Sequence, residues 1–106
     1  MTDEAPKPET ARDRLFRLHD EMCKRAKAKM KKKNADYASE ADAFKNFRRH
    51  GLKGIVVRMD DKVSRIDNFE GKGFFEVDDE SIEDTLEDLI NYCVVFSAFR
   101  AEEKLK

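Results

Sequence analysis

DESIEDTLEDLINYCVVFSAFRA, residues 79–101, is the stretch that decides the fold class. Apolar residues recur in it at steps of three and four, the spacing of one face of an α-helix. The members of this face are Ile82, Leu86, Leu89, Cys93 and Phe96. Asp78 and Asp79 come just before the pattern, and their carboxylates would cap the start of a helix. The stretch therefore predicts a long helix from about Asp79 to Ala101.

The same spacing predicts a first helix near the start of the chain. Its apolar positions are Leu15, Leu18, Met22, Ala26 and Met30. Thr10 or Asp13 would cap it, and it is expected to run to about Lys33 because no glycine or proline interrupts it. Residues 1–10 contain both prolines of the chain and are predicted to be a flexible N-terminal arm. Residues 11–106 are then a single domain.

A second helix is predicted from Ile55 to about Phe69. Its apolar face is formed by Ile55, Met59, Val63 and Ile66. No segment shows an alternating pattern long enough to require a sheet. The fold class is therefore predicted to be all-α, with three main helices that form a helical bundle completed by dimerisation.

The connections between the helices are unequal in length. Residues 34–54 form a long connection, with Phe44 and Phe47 as apolar anchors and a short helical turn near residues 41–49. Residues 70–77 are expected to turn the chain into the last helix. A connection as long as the first is usually functional in a small domain.

Composition limits the classes of partner. Charged residues make up 42% of the 106 residues and hydrophobic ones 40%, which favours amphipathic helices covered by a second copy of the chain. The net charge of −1 argues against a nucleic-acid partner, and no apolar stretch approaches the length of a membrane span. Cys23 and Cys93 lack metal-ligand spacing, so reduced thiols and a cytoplasmic location are expected.

Acidic residues line one face of the predicted third helix. Asp84, Asp88 and Asn91 lie at i, i+4 and i+7, and Glu80 lies one turn earlier. Two aspartates four residues apart repel each other unless a cation lies between them. Ligands that are all oxygen atoms point to magnesium or manganese. The alternative is that acids near a helix N-terminus, Glu80 above all, simply favour the helix dipole.

The predicted second helix carries a mixed face. Arg58, Asp61, Arg65 and Asn68 lie on one side of it, with Lys62 at the edge. One interpretation is a solvent face crossed by surface ion pairs. The functional interpretation is that Asp61 joins the metal ligands while Arg58, Lys62 and Arg65 bind phosphate oxygens.

The basic segment 24–33 ends in Asn34, Asp36 and Tyr37. The lysines of this segment are either a solvated helix face or neighbours of phosphate groups. Asn34 is either a C-cap or, with Asp36 and Tyr37, part of a motif that contacts the sugar or base of a nucleotide. A nucleic-acid arm is not favoured, because no aromatic residues interleave with the lysines.

Four sequence blocks together carry a resemblance to a known family. They are KKNADY (32–37), AFKNFR (43–48), RMDDKVSRIDNF (58–69) and DESIEDTLEDLINY (79–92). In this order they resemble the nucleotide-modification-associated domains common in phages. Those domains are similar to the MazG-like all-α nucleoside triphosphate pyrophosphohydrolases and to the dimeric dUTPases. The resemblance covers roughly residues 30–95.

The resemblance implies a homodimer or homotetramer that cleaves a deoxynucleoside triphosphate (dNTP) into monophosphate and pyrophosphate, with magnesium and an activated water. A purine dNTP in phage nucleotide-pool modification is one specific expectation, and the location would then be the host cytoplasm. The implied catalytic residues are Asp61, Asp84 and Asp88, and the implied metal ligands are these three with Glu80. The implied substrate-binding residues are Asn34, Asp36, Tyr37, Lys62 and Arg65, and the helix faces add Arg58 and Asn91 as predicted substrate-binding residues.

The chain departs from the MazG pattern on the second helix. MazG proteins carry an E-x-x-E pair there, whereas this chain has Asp61, Lys62 and Arg65. A cation stands where a carboxylate would be. This keeps open an alternative function, a non-catalytic helical module that binds a nucleotide or a protein and regulates nucleotide-modification enzymes.

Overall fold

A computed structural model describes residues 5–37, 42–72 and 80–105; the side chains of residues 36, 37, 80 and 81 lie outside the description. The described residues form three α-helices and no strand, which confirms the all-α class. The helices are α1 (Ala11–Tyr37), α2 (Gly51–Gly71) and α3 (Glu80–Lys104), with a 3₁₀ turn (Lys45–Phe47) before α2. The turn predicted over residues 70–77 and the caps predicted at Asp78 and Asp79 fall largely or wholly outside the described residues.

α1 begins with a reciprocal cap. The Thr10 hydroxyl accepts a hydrogen bond from the Asp13 amide at 3.0 Å, and the Asp13 carboxylate accepts one from the Thr10 amide at 3.2 Å. These bonds satisfy amides that have no partner inside the helix. The helix continues to Tyr37, beyond the Lys33 end predicted from the sequence. Asn34 therefore lies inside α1, and its interpretation as the C-cap is wrong.

α2 starts one turn earlier than the apolar pattern indicated. Gly51 is its first residue and has a φ of 60°, a left-handed conformation that favours glycine. At Gly54 an added Cβ would lie 2.6 Å from the Cβ of His50, so this turn closes only around a glycine. The glycines that looked like the end of a connection are part of the helix start.

α3 is the central element, because both α1 and α2 pack against it. The buried hydrophobic residues among those described are Ala26, Ile55 and Phe99, and Thr85 is the buried polar residue. Cys93 was predicted to lie in the core stripe of α3, and this is wrong, since its side chain is exposed.

Part of the predicted apolar faces is not covered within the single chain. Leu15 is 63% exposed and Leu18 is 40% exposed on α1, and Val63 is 52% exposed on α2. Phe16, beside them on α1, is 61% exposed. The first half of α1 thus presents an apolar surface that no other described element of this chain covers. No helix among the described residues is long and apolar enough to cross a membrane.

Candidate functional site

One carboxylate connects all three helices. Oδ1 of Asp88 on α3 lies 2.7 Å from Nζ of Lys29 and 3.2 Å from Nζ of Lys33, both on α1. Its Oδ2 lies 3.0 Å from Nζ of Lys62 on α2. We call Lys29, Lys33, Lys62, Asp84 and Asp88 the lysine–aspartate cluster. Its three ammonium groups outnumber its two carboxylates, so the cluster carries a net positive charge.

Lys29 lies between the two aspartates of α3. Its Nζ is 2.6 Å from Oδ1 of Asp84 and 2.7 Å from Oδ1 of Asp88, and it also donates to the carbonyl oxygen of Asp84 at 3.0 Å. The sequence predicted that a magnesium or manganese ion would lie between these carboxylates. In the single chain a lysine ammonium lies there, and it comes from a residue that was not predicted to belong to the site.

The cluster changes the acidity of its members. Burial by itself would raise the pKa of the Asp88 carboxyl, but hydrogen bonds from Lys29, Lys62 and Lys33 outweigh it and lower the pKa to about 2. Burial likewise opposes the charged form of Lys29, yet its bonds to Asp84 and Asp88 raise its pKa overall. The Asp88 carboxyl is therefore ionised at neutral pH, and Lys29 keeps its positive charge.

A cavity of about 700 Å³ adjoins the cluster. Its lining combines aromatic rings and aliphatic side chains with a few polar groups. The lining residues are Met30, Lys33, Asn34, Ala43, Phe44, Asn46, Phe47, His50, Gly51, Gly54, Ile55, Arg58, Asp88, Asn91, Tyr92, Val94, Val95 and Ala98. Lys33 and Asp88 belong to both the cavity and the cluster. This size and this mixture of surfaces are typical of a small-molecule site.

The wall formed by the long connection is fixed to the helices by side chains. Arg48 donates to both carboxylate oxygens of Asp42, at 2.7 and 2.8 Å, and its guanidinium lies 6.0 Å from the centre of the Phe99 ring. The Phe44 ring meets the same Phe99 edge-on at 5.7 Å. The side-chain amide of Asn34 donates to the carbonyl of Ala43 at 3.0 Å. The connection is thus tied to both α3 and the end of α1.

The amides predicted to bind substrate have structural contacts. Asn34 lines the cavity through the contact just given. Asn91 also lines the cavity, and its side-chain amide donates to the carbonyl of Ala26 at 2.8 Å, which joins α3 to α1. Both amide groups fix the shape of the cavity, and their side-chain oxygens have no bond to another described residue.

The structure gathers some of the predicted site residues and separates others. Asp84, Asp88 and Lys62 lie in the cluster, and Arg58 lines the cavity with an exposed side chain. Asp61 and Arg65 are exposed and line no part of the cavity. The side chains of Asp36, Tyr37 and Glu80 lie outside the description.

Three of the four predicted metal ligands, Asp61, Asp84 and Asp88, do not come together in one group, and the side chain of the fourth, Glu80, lies outside the description. No group of three or more histidine, cysteine or acidic side chains that could hold a metal exists among the described side chains. Asp84 and Asp88 nevertheless fit a hard divalent ion in their donor chemistry, because two carboxylates already share one cation. Asp61, the third predicted ligand, stands apart from this pair.

The fold and site define a class: a small all-helical domain with a ligand-sized cavity next to a cationic lysine–aspartate cluster. Residues 33–97 match the family described as nucleotide modification associated domain 1, and the chain belongs to this family. The matched region contains most of the cavity lining and Asp84, Asp88, Lys33 and Lys62, whereas Lys29 lies before it. No curated protein and no solved structure matches the chain.

Proposed function

We propose that this protein is a magnesium-dependent dNTP pyrophosphohydrolase that converts a dNTP and water into the monophosphate and pyrophosphate. One observation carries the proposal: a cavity of nucleotide size has a cationic lysine–aspartate cluster in its wall. Family membership supports a nucleotide as the ligand. A relationship to the MazG-like pyrophosphohydrolases and the dimeric dUTPases is part of the proposal.

The phosphates would bind where the cavity meets the cluster. Lys33 and Arg58 line the cavity with exposed side chains that a phosphate can reach without a large desolvation cost. Lys62 is joined to the same wall through Asp88. Ammonium and guanidinium groups at this point would stabilise the charge that develops as pyrophosphate leaves.

The nucleoside would occupy the aromatic part of the lining. Phe47, His50 and Tyr92 present rings there, and a base gains stacking energy against such faces. Asn46 adds an amide that can pair with a base edge. Tyr37, predicted to stack on the nucleotide, is the last residue of α1 and follows Asn34, which lines the cavity, by three positions in the sequence. The purine preference expected for a phage enzyme remains part of the proposal.

Asp84 and Asp88 would hold the magnesium, with manganese as the alternative ion. The bound ion would supply charge neutralisation at the phosphates and an activated water. Asp88 is the better oriented of the two, since Lys62 fixes its second oxygen at 3.0 Å. Asp61 and Glu80 are the further acids assigned to this role by resemblance.

A second copy of the chain would complete the fold. Leu15, Phe16 and Leu18 are exposed along the first half of α1, and burying them against an equivalent surface would add to a small core. A homodimer is the simplest assembly with self-complementary contacts, and a homotetramer would pair two of them.

The test is to incubate the full chain with each dNTP and magnesium, and to measure pyrophosphate and monophosphate. Asp84→Asn is the informative variant: the Asp84 side chain is 67% exposed, so the fold should survive its replacement. We expect turnover to fall about a hundredfold or more, while Asp20→Asn, an exposed acid on α1, leaves it unchanged. Absence of pyrophosphate with every dNTP, or a fully active Asp84→Asn, would refute the enzyme.

The separation of Asp61 from Asp84 and Asp88 favours a second candidate, a non-catalytic module that binds a nucleotide or a protein and regulates nucleotide-modification enzymes. Calorimetry of dNTP binding, combined with the pyrophosphate assay, distinguishes the enzyme from the non-catalytic module. Saturable dNTP binding without release of pyrophosphate supports the module, whereas binding accompanied by turnover excludes it.

A further inference from the structure

We propose that Lys29 and a divalent metal ion compete for the same pair of carboxylates, and that a triphosphate shifts this competition toward the metal. The inference rests on the proposed function in one respect, that a triphosphate binds beside the cluster. It gives Lys29 and Lys33 a role in loading the site, so that metal and nucleotide enter together.

The first argument is the position of the Lys29 ammonium. Its Nζ lies within 2.7 Å of one oxygen from each of Asp84 and Asp88, which is where a shared cation would be expected. The side chains of Lys29 and Asp88 are 19% and 12% exposed, so water screens a second cation little on the Asp88 side, whereas the Asp84 side chain is 67% exposed. A metal ion on these oxygens and the ammonium in this position exclude each other by like-charge repulsion.

The second argument is the availability of a new partner for the lysines. Lys33 lines the cavity, its side chain is 52% exposed, and it contacts Asp88 at the longer distance of 3.2 Å. Lysine is a point charge on a flexible stem and can turn from a carboxylate to a phosphate within a few ångström. A triphosphate carries more negative charge than the two carboxylates together, so it would attract the ammonium groups away from Asp88.

A purely structural role makes a different prediction. If the lysines serve only to hold α1 on α3, replacing Lys29 would loosen the packing without creating a better metal site. If Lys29 occupies the metal position, replacing it would remove the ammonium between the two carboxylates and let a metal bind there even with no nucleotide present. Metal affinity in the absence of nucleotide therefore separates the two roles.

The experiment titrates Mn²⁺ against the full chain and follows free Mn²⁺ by electron paramagnetic resonance, with no nucleotide present. We expect Lys29→Met to bind Mn²⁺ about tenfold more tightly than the parent. Lys32→Met, which removes the same charge from an exposed position on α1, should match the parent. Adding Asp84→Asn to Lys29→Met should abolish the gain. If Lys29→Met disturbs folding, Lys33→Met is the second variant and should shift affinity in the same direction.

Inorganic tripolyphosphate supplies the second arm. With it present, the parent should acquire protein-bound Mn²⁺ with a spectrum distinct from that of the free manganese–tripolyphosphate complex. The inference is overturned if Lys29→Met binds Mn²⁺ no better than the parent, if Lys32→Met gains as much, or if tripolyphosphate leaves Mn²⁺ binding to the parent unchanged. A tighter-binding Lys29→Met, together with a parent that releases no pyrophosphate from any dNTP, would refute the proposed enzyme and retain the competition.

Discussion

Nζ of Lys62 on α2 lies 3.0 Å from Oδ2 of Asp88 on α3, while Oδ1 of the same carboxylate is left to the lysines of α1. Each oxygen of Asp88 thus serves a different neighbouring helix. A single side chain, 12% exposed, links the packing of the three helices to the charge of the candidate site.

The acid stability of the fold should depend on Asp88. Its pKa is lowered to about 2, so its ion pairs stabilise the folded state above the unfolded-chain pKa and are lost as the pH falls toward about 2. This contribution is about 2 kcal/mol. Urea unfolding of the parent from about pH 5 to about pH 2 should show the loss, and Asp88→Asn should lack this component. Asp20→Asn should follow the parent; a parent-to-Asp88→Asn difference that stays constant with pH would contradict the prediction.

Lys62 should matter for both packing and phosphate binding. Lys62→Met leaves Oδ2 of Asp88 without its ammonium, and we expect tripolyphosphate affinity to fall about tenfold. Isothermal titration calorimetry measures this loss. Lys53→Met is the matched control, because Lys53 is an exposed lysine of the same helix outside the cluster. Equal affinities for the two variants would place the phosphates elsewhere.

Phe47 should separate binding of the base from binding of the phosphates. Its ring lines the cavity and is half-buried, and removing a stacking face costs about 1 to 3 kcal/mol per base. Phe47→Ala should therefore weaken dNTP binding and leave tripolyphosphate binding unchanged, as measured by calorimetry with both ligands. A similar loss for both ligands would mean that the variant has collapsed the cavity.

Gly54 should be intolerant of a methyl group. The 2.6 Å approach of an added Cβ to the His50 Cβ forces the backbone at the start of α2 to move. We expect Gly54→Ala to lower the free energy of unfolding by about 1 to 3 kcal/mol. In the same helix, Gly71→Ala meets no atom within 4 Å and should be neutral or slightly stabilising. Thermal melts of the two variants give the comparison directly.

Much of the fold could be predicted from the sequence because helical periodicity is a local signal. The three helices, the short turn before α2 and the cap at Thr10 are all confirmed. The helix ends were less accurate. Asn34 looked like a terminus, but α1 continues to Tyr37, and the Asn34 side chain bonds to Ala43 in the connection.

The site was predictable only in part, because it depends on which helix meets which. The spacing of Asp84 and Asp88 predicted a magnesium or manganese ion between them, and this stays a prediction. The spacing could not show that the ammonium of Lys29, which lies 55 residues before Asp84 in the sequence, occupies the position between the two carboxylates. The contacts of Arg48 with the Asp42 carboxylate and the Phe99 ring could not be predicted from a repeating sequence pattern either. Asp61 shared a plausible helix face with Lys62, yet only Lys62 turns toward Asp88.

The contacts to Asp88 do not by themselves determine how α1 is aligned along α3. Lys29 and Lys33 lie one turn apart, yet both reach the same oxygen of Asp88, and only the further bond of Lys29 to Asp84 distinguishes the two turns. A contact that does not involve charge fixes the alignment at Ala26, which is 1% exposed and whose carbonyl accepts the Asn91 amide. A methyl-sized side chain permits the close approach that this bond needs. The register of the most charged helix is therefore fixed by one of its smallest residues.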